Sequence, residues 1–145
     1  MDIILRHPKE RKSKCTLEPL RKREDLRFHT ARPGLDLDAS GYVVLAADGE
    51  DFTEADAGKL LLLLDSTWKL LPALQRCLSG SPELRRLPLW LETAYPRRSK
   101  DDSDPANGLA SVEALYAARR LLGRRDDSLL ADYHWRQSFL QQWPD

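Results

Sequence analysis

Leu60-Leu61-Leu62-Leu63-Leu64-Asp65-Ser66-Thr67-Trp68 is the stretch on which the fold turns. Five consecutive leucines are far short of the ~20 apolar residues a membrane span needs. A continuous apolar run of this length suits a strand buried on both faces of a parallel sheet. Working outward, Ile3-Ile4-Leu5, Arg27 to Thr30 and Tyr42 to Leu45 read as further strands, the last opened by Gly41 and closed by an Asp48-Gly49 turn. Thr53, with Asp56 three residues on, predicts a capped helix. After Asp65, the residues Leu70, Leu71, Leu74, Cys77 and Leu78 recur at helical spacing. Strands alternating with helices predict an open parallel α/β sheet.

The second half differs. Pro82, Pro88, Pro96 and Pro105 punctuate it, and Tyr95 to Ala110 reads as one long loop, a length more often functional than idle. Two helices are expected beyond it. The first is capped by Ser111, carries Val112, Leu115, Tyr116 and Leu122 on its apolar side, and ends at Gly123. The second runs from about Ser128, with Leu129, Leu130, Tyr133, Phe139, Leu140 and Trp143 available for packing.

The chain has 145 residues, 41% hydrophobic and 32% charged, a globular balance able to build one core without disulfide support. Two distant cysteines, Cys15 and Cys77, exclude a disulfide scaffold and a four-cysteine zinc site. With no apolar signal region at the N-terminus, a soluble protein of a reducing, intracellular compartment is expected. The 23 basic and 23 acidic residues cancel, but unevenly: residues 1–34 hold ten basic and five acidic side chains, the remainder 13 and 18. Arg97, Arg98 and Lys100 form a second basic cluster. Such clusters suit a phosphate backbone, and equally a solvated surface.

Asp65-Ser66-Thr67-Trp68 falls at the carboxyl end of the buried strand, where open α/β sheets bind ligands. An Asp there accepts hydrogen bonds or a proton and Trp68 offers a flat wall; alternatively Asp65 or Thr67 caps the next helix and Trp68 packs in the core. Leu109-Ala110-Ser111-Val112-Glu113 leads a loop into a helix N-terminus, attractive to a carboxylate or phosphate or simply capped. His7, His29 and His134 lack a ligand spacing, so no metal is expected. There is no Gly-x-Ser-x-Gly elbow, Walker lysine loop or Gly-x-Gly-x-x-Gly fingerprint.

Six segments, in order, resemble the small-subunit rRNA aminocarboxypropyltransferases. They are His7-Pro8-Lys9 to Lys14-Cys15-Thr16, Val44 to Gly49, Leu64-Asp65-Ser66-Thr67-Trp68, Leu91 to Pro96, Leu109 to Leu115, and Leu129-Leu130 through Tyr133-His134-Trp135 to Phe139-Leu140. Asp65-Ser66-Thr67-Trp68 is also similar to the Asp-x-Thr-Trp of DTW-domain tRNA aminocarboxypropyltransferases, which bring an N-terminal cysteine cluster that Cys15 alone does not supply. Departures from the rRNA family are His7 for an aspartate, Ala47 for a proline, Tyr95 for an asparagine, and Arg97-Arg98-Ser99-Lys100 for an uncharged stretch.

The resemblance implies a SPOUT-like α/β fold with a deep trefoil knot. Residues 1–90 would form a parallel-sheet lobe with a basic RNA-facing segment, and residues 91–145 a helical lobe with the donor-binding loop. It implies an enzyme of the cytoplasm, a monomer without a metal, acting in ribosome biogenesis. The reaction implied moves the 3-amino-3-carboxypropyl group of S-adenosylmethionine to N3 of a uridine or pseudouridine in rRNA, releasing methylthioadenosine. Transfer to tRNA, S-adenosylmethionine-dependent RNA methylation and a non-catalytic RNA-binding ribosome-assembly role are the alternatives. By the same resemblance Asp65 is the catalytic residue. Thr16, Leu45, Ala47, Asp65, Trp68, Leu91, Leu109 and Ser111 would bind the donor, and Lys9, Arg11, Lys12, Lys14, Arg97 and Arg98 the RNA of rRNA or a preribosomal small subunit.

Overall fold

The computed structural model describes residues 1–9, 16–66, 68–96, 106 and 108–144, with only the backbone of Trp68. The expected parallel sheet is present. Strands β1 (Asp2–Arg6), β2 (Leu26–Thr30), β4 (Tyr42–Asp51), β5 (Leu60–Asp65) and β7 (Glu83–Arg86) form a five-stranded sheet in the order β2-β1-β5-β4-β7. Every pairing in it is parallel. A two-stranded parallel sheet, β3 (Leu37–Asp38) with β6 (Leu78–Ser79), lies apart.

Alternation along the strands divides the apolar residues between two faces. Ile4, Val43, Leu45, Leu61 and Leu63 join one core cluster, while Leu5, Val44 and Leu62 join another. The five-leucine run therefore feeds both layers. The first cluster is covered by α2 (Ser111–Leu121), and it unites Ile4 and Val43 with Leu115 and Phe139 from far along the chain. The second is covered by α1 (Leu71–Gln75) with Leu74 and Cys77. From Val112 to Arg119 every residue of α2 is buried, and Ala114, Ala117 and Ala118 let neighbouring backbone approach closely. Gly123, at φ 79°, ends α2 by the N–H of Arg124 reaching the Arg119 carbonyl.

Five local expectations are corrected. Asp48-Gly49 does not close β4. The strand bulges between Leu45 and Glu50, both of which pair with Arg85, and then continues. Gly49 is needed because a Cβ there would lie 2.8 Å from the Arg85 backbone nitrogen. The Thr53 helix is one 3-10 turn, Glu54–Asp56, stopped by Gly58 at φ 83°. The helix after Asp65 shortens to a 3-10 turn plus α1, because the Cys77 carbonyl accepts from Leu37 N–H and draws Leu78 into β6. The expected last helix is a 3-10 turn, Asp127–Leu130, followed by α3 (Arg136–Gln141). Tyr133 and Trp135 pack edge-on at 5.8 Å, a meeting that residues two apart on a helix cannot make. Finally, Ala110 rather than Ser111 stands at the cap of α2.

Among the described residues no helix is long and apolar enough to cross a membrane.

Candidate functional site

β1 and β5 end side by side, with Arg6 opposite Asp65 in register. Both side chains point to the α2 face and both are buried. Arg6 Nε donates to Asp65 Oδ2 at 3.2 Å, and Arg6 Nη1 donates to Glu18 at 2.9 Å while the guanidinium sits over Phe28. The other carboxylate oxygen, Oδ1, accepts from the Ser111 hydroxyl at 2.6 Å. Asp65 is thus a buried anion fixed from two sides by groups of different elements. The Ser111 side chain is turned to the strand end instead of its own helix.

The first turn of α2 takes its caps from elsewhere. Thr16 Oγ1 accepts from the Val112 N–H at 3.0 Å. Buried Glu113 accepts from the Ala110 N–H at 2.8 Å, from the Thr93 hydroxyl at 2.6 Å and from the Ala94 N–H at 2.8 Å. The Tyr95 N–H closes onto Thr93 Oγ1 at 3.0 Å. One carboxylate therefore ties residues 93–95 to the beginning of α2. The negative charge is also favourable against the positive end of the helix dipole.

Of the donor-site residues expected from sequence, Asp65, Ser111 and Thr16 come together through these hydrogen bonds. Leu45, Leu91 and Leu109 are buried in the α2-side core cluster that floors the same region. The Leu91 and Leu109 N–H groups close turns onto the carbonyls of Pro88 and Ala106. Ala47 is exposed on the β4 bulge. Trp68 opens the 3-10 turn Trp68–Leu70 that follows β5 in the chain. Lys9 is exposed, its N–H donating to His7 Nδ1 at 3.0 Å. Arg11, Lys12, Lys14, Arg97 and Arg98 lie outside the described residues. No group of three or more His, Cys, Asp or Glu that could hold a metal occurs among the described residues.

Sequence reasoning missed Arg6, Glu18 and Thr93, and it placed Glu113 at a helix N-terminus without its reach to Thr93 and Ala94. The signal for Arg6 was available: a cation directly ending the apolar run Ile3-Ile4-Leu5 in a strand buried on both faces needs a buried anion beside it.

The fold is an α/β class with a parallel sheet, whose polar groups gather beyond the strand carboxyl ends, the place where such sheets bind ligands. The chain is similar to the solved structure of the SAM-dependent rRNA:acp-transferase Tsr3 from Vulcanisaeta distributa, with a TM-score of 0.72 over 97% of this chain and 77% of that one, at 24% sequence identity. No family model matches the sequence, and neither does any curated protein.

Proposed function

We propose that this chain transfers the 3-amino-3-carboxypropyl group of S-adenosylmethionine to N3 of a uridine or pseudouridine in rRNA, releasing methylthioadenosine. The observation that carries this reading is the Arg6–Asp65–Ser111 arrangement at the mouth of α2, in a fold shared with Tsr3. The residues fit an α-amino acid with an adenosine attached. A fixed carboxylate is matched to an ammonium, and the positive end of an eleven-residue helix, which Ser111 opens, is matched to a carboxylate. The apolar side chains of Leu45, Leu91 and Leu109 supply a dry wall for the methylthioadenosine part.

The donor supplies an electrophilic methylene next to a sulfonium. In the transfer, the C–S bond at that methylene breaks, the bond to N3 forms, and the N3 proton leaves to a base. The protein's task is to choose among three carbons on one sulfur, by holding the amino-acid end outward and enclosing the methyl. With one oxygen on Arg6 and the other on Ser111, Asp65 is better placed as the anchor of the ammonium than as the acceptor of the N3 proton. Glu113 positions residues 93–95 without touching the donor. Thr16 is held within reach of the same edge by its bond to α2.

The finer parts of the reading follow the same resemblance. Residues 1–90 and 91–145 would act as a sheet lobe and a donor-loop lobe joined by a knotted crossover. Trp68 and Ala47 would complete the donor pocket. Lys9, Arg11, Lys12, Lys14, Arg97 and Arg98 would hold the backbone of RNA whose acceptor base has left its stack, in the cytoplasm and as a monomer.

The test is calorimetric titration of the purified protein with S-adenosylmethionine and methylthioadenosine, paired with mass detection of the modified nucleoside after incubation with small-subunit rRNA. Saturable donor binding, with product lost in Asp65→Ala while RNA binding is retained, supports transfer. A folded protein that binds RNA but neither adenosyl compound leaves the non-catalytic role as the reading.

A further inference from the structure

On the opposite face of the same strand ends is a second concavity of about 410 Å³, lined by His7, Ala31, Arg32, Gly34, Ala73, Arg76 and Cys77 among others. Its volume falls within the range of small-ligand pockets. Alternation explains its position: Arg6 turns to the α2 face to hold Asp65, and His7, the next residue, turns to the α1 face. The His7 N–H also donates to the Asp65 carbonyl at 3.3 Å, so the two sites share one backbone segment.

The rim is built on fixed geometry. Arg32-Pro33-Gly34-Leu35 is a tight turn closed by Leu35 N–H to the Arg32 carbonyl at 3.1 Å, with proline second and Gly34 at φ 84°, as a type II turn requires. Arg76 faces it from the end of α1. Arg32 and Arg76 are exposed, and neither side chain has a hydrogen bond or ion pair among the described residues. His7 is buried, and because its Nδ1 accepts from Lys9, a neutral ring carries its proton on Nε2, where it has no protein partner among the described residues. Among the described residues no carboxylate lines the cavity. Burial, with the charges of Arg27 and Arg32, holds nearby His29 below its usual pKa. Several arginines elsewhere are matched by carboxylates: Arg85 with Asp56, Arg119 with Asp2 and Asp25, Arg23 with Asp25 and Asp126.

We propose that this cavity is a phosphate subsite for single-stranded RNA, in which Arg32, Arg76 and His7 Nε2–H hold a phosphodiester flanking the acceptor nucleotide. Two cations and one N–H donor lining one concavity, with no carboxylate among its described lining residues, is the donor set a phosphate oxygen cluster requires. The adjacency to Asp65 selects a polyanion that continues past the pocket over a free anion: a strand crossing the carboxyl edge of β1 and β5 places one phosphate here and the next base on the donor side. The assignment rests on the transfer reading above for its acceptor, and on the pocket itself for its phosphate.

The experiment measures fluorescence anisotropy of a labelled, uridine-containing single-stranded RNA across a salt series, with the full chain, Arg32→Ala/Arg76→Ala and Ala73→Trp. Circular dichroism confirms folding, and S-adenosylmethionine binding is measured on each protein. Removing two phosphate contacts weakens RNA binding about tenfold and reduces the log–log salt slope by about 1.4, at roughly 0.7 per single-strand contact. Ala73→Trp fills the cavity with charge unchanged and also weakens binding. Donor affinity stays the same in both. Wild-type RNA affinity and slope in the double variant, with donor binding intact, overturns the subsite and leaves the transfer reading standing. Absent donor binding in the wild type, with RNA binding still dependent on the two arginines, overturns the transfer reading and supports the subsite. Uridine monophosphate bound by the wild type and lost in the variant, without RNA binding, overturns the RNA assignment in favour of a free phosphate ligand.

Discussion

Both edges of the parallel sheet bury a carboxylate against an arginine, but they differ in the cations around that pair. At the amino edge, Asp2 Oδ1 accepts from the Leu61 N–H at 2.8 Å, and Oδ2 accepts from Arg119 at 2.6 Å and Arg124 at 2.9 Å. Arg119 in turn holds Asp25, and Arg23 holds Asp25 and Asp126. Every one of these carboxylates faces a cation, and the network pins β1 and β5 to the end of α2. At the carboxyl edge, Asp65 is held by Arg6 and the Ser111 hydroxyl, and the exposed side chains of Arg32 and Arg76 have no carboxylate partner among the described residues. A closed network holds the fold; an edge with cations left over is equipped for a ligand.

The largest expected effect breaks the closed edge. Asp2→Ala removes the buried anion that Arg119 and Arg124 share, leaving Arg119 only the half-exposed Asp25, and should cost about 3–5 kcal/mol, read as a loss of thermal midpoint on the order of 10 °C. A change within scatter would show that the amino edge is no more structural than the other. Asp65→Asn comes next, sharpening the contrast: transfer should fall by about 100-fold, roughly 2.7 kcal/mol in barrier. Stability should change less than in the Asp2 variant, because the Asn carbonyl still accepts from Ser111. Nucleoside mass analysis and calorimetric melting separate the two effects.

Gly49→Ala drives a methyl into the Arg85 backbone and should destabilise by about 1–3 kcal/mol, measured by denaturant titration. Thr16→Val removes the external cap on the Val112 N–H and should cost about 1 kcal/mol, with a matching loss of donor affinity if the first turn of α2 holds the donor. The smallest effect is in pH. Burial raises the Asp2 pKa, but hydrogen bonds from Arg124, the Leu61 N–H and Arg119 outweigh it, leaving the group below its usual 3.8; Arg85 foremost depresses Asp56. Both carboxylates are more acidic folded than unfolded, so their contribution is present above 3.8 and lost as pH falls below it. Thermal midpoints should decline slightly as pH falls below 6.5, where the unfolded chain protonates His29 more readily than the folded one, and drop further below about pH 4, and Asp2→Asn should remove part of that second drop.

The sheet and its main strands are legible in the sequence because burial on both faces forces an unbroken apolar run, as at Leu60–Leu64. The lengths of the flanking elements are not. Whether Leu78 extends a helix or forms β6 depends on Leu37, forty-one residues earlier, and local periodicity carries no trace of it. Gly49 reads as a turn because the reason for a glycine there is the passing backbone of Arg85, not its own dihedral angles. At the candidate site, Asp65, Ser111 and Thr16 are recoverable as polar residues at element ends. Their joining through Arg6, and the reach of Glu113 to Thr93 and Ala94, depend on which strands become neighbours.

Asp2 and Arg119 are separated by 117 positions, and that spacing has a consequence during synthesis. On the ribosome β1 emerges well before β5, one of its two sheet neighbours, and before the helix that neutralises its aspartate. Until α2 has left the exit tunnel, the nascent chain holds an unpaired apolar strand edge with a carboxylate it cannot bury. The last native contacts thus form late, in a window in which a chaperone that shields apolar strand edges would determine yield.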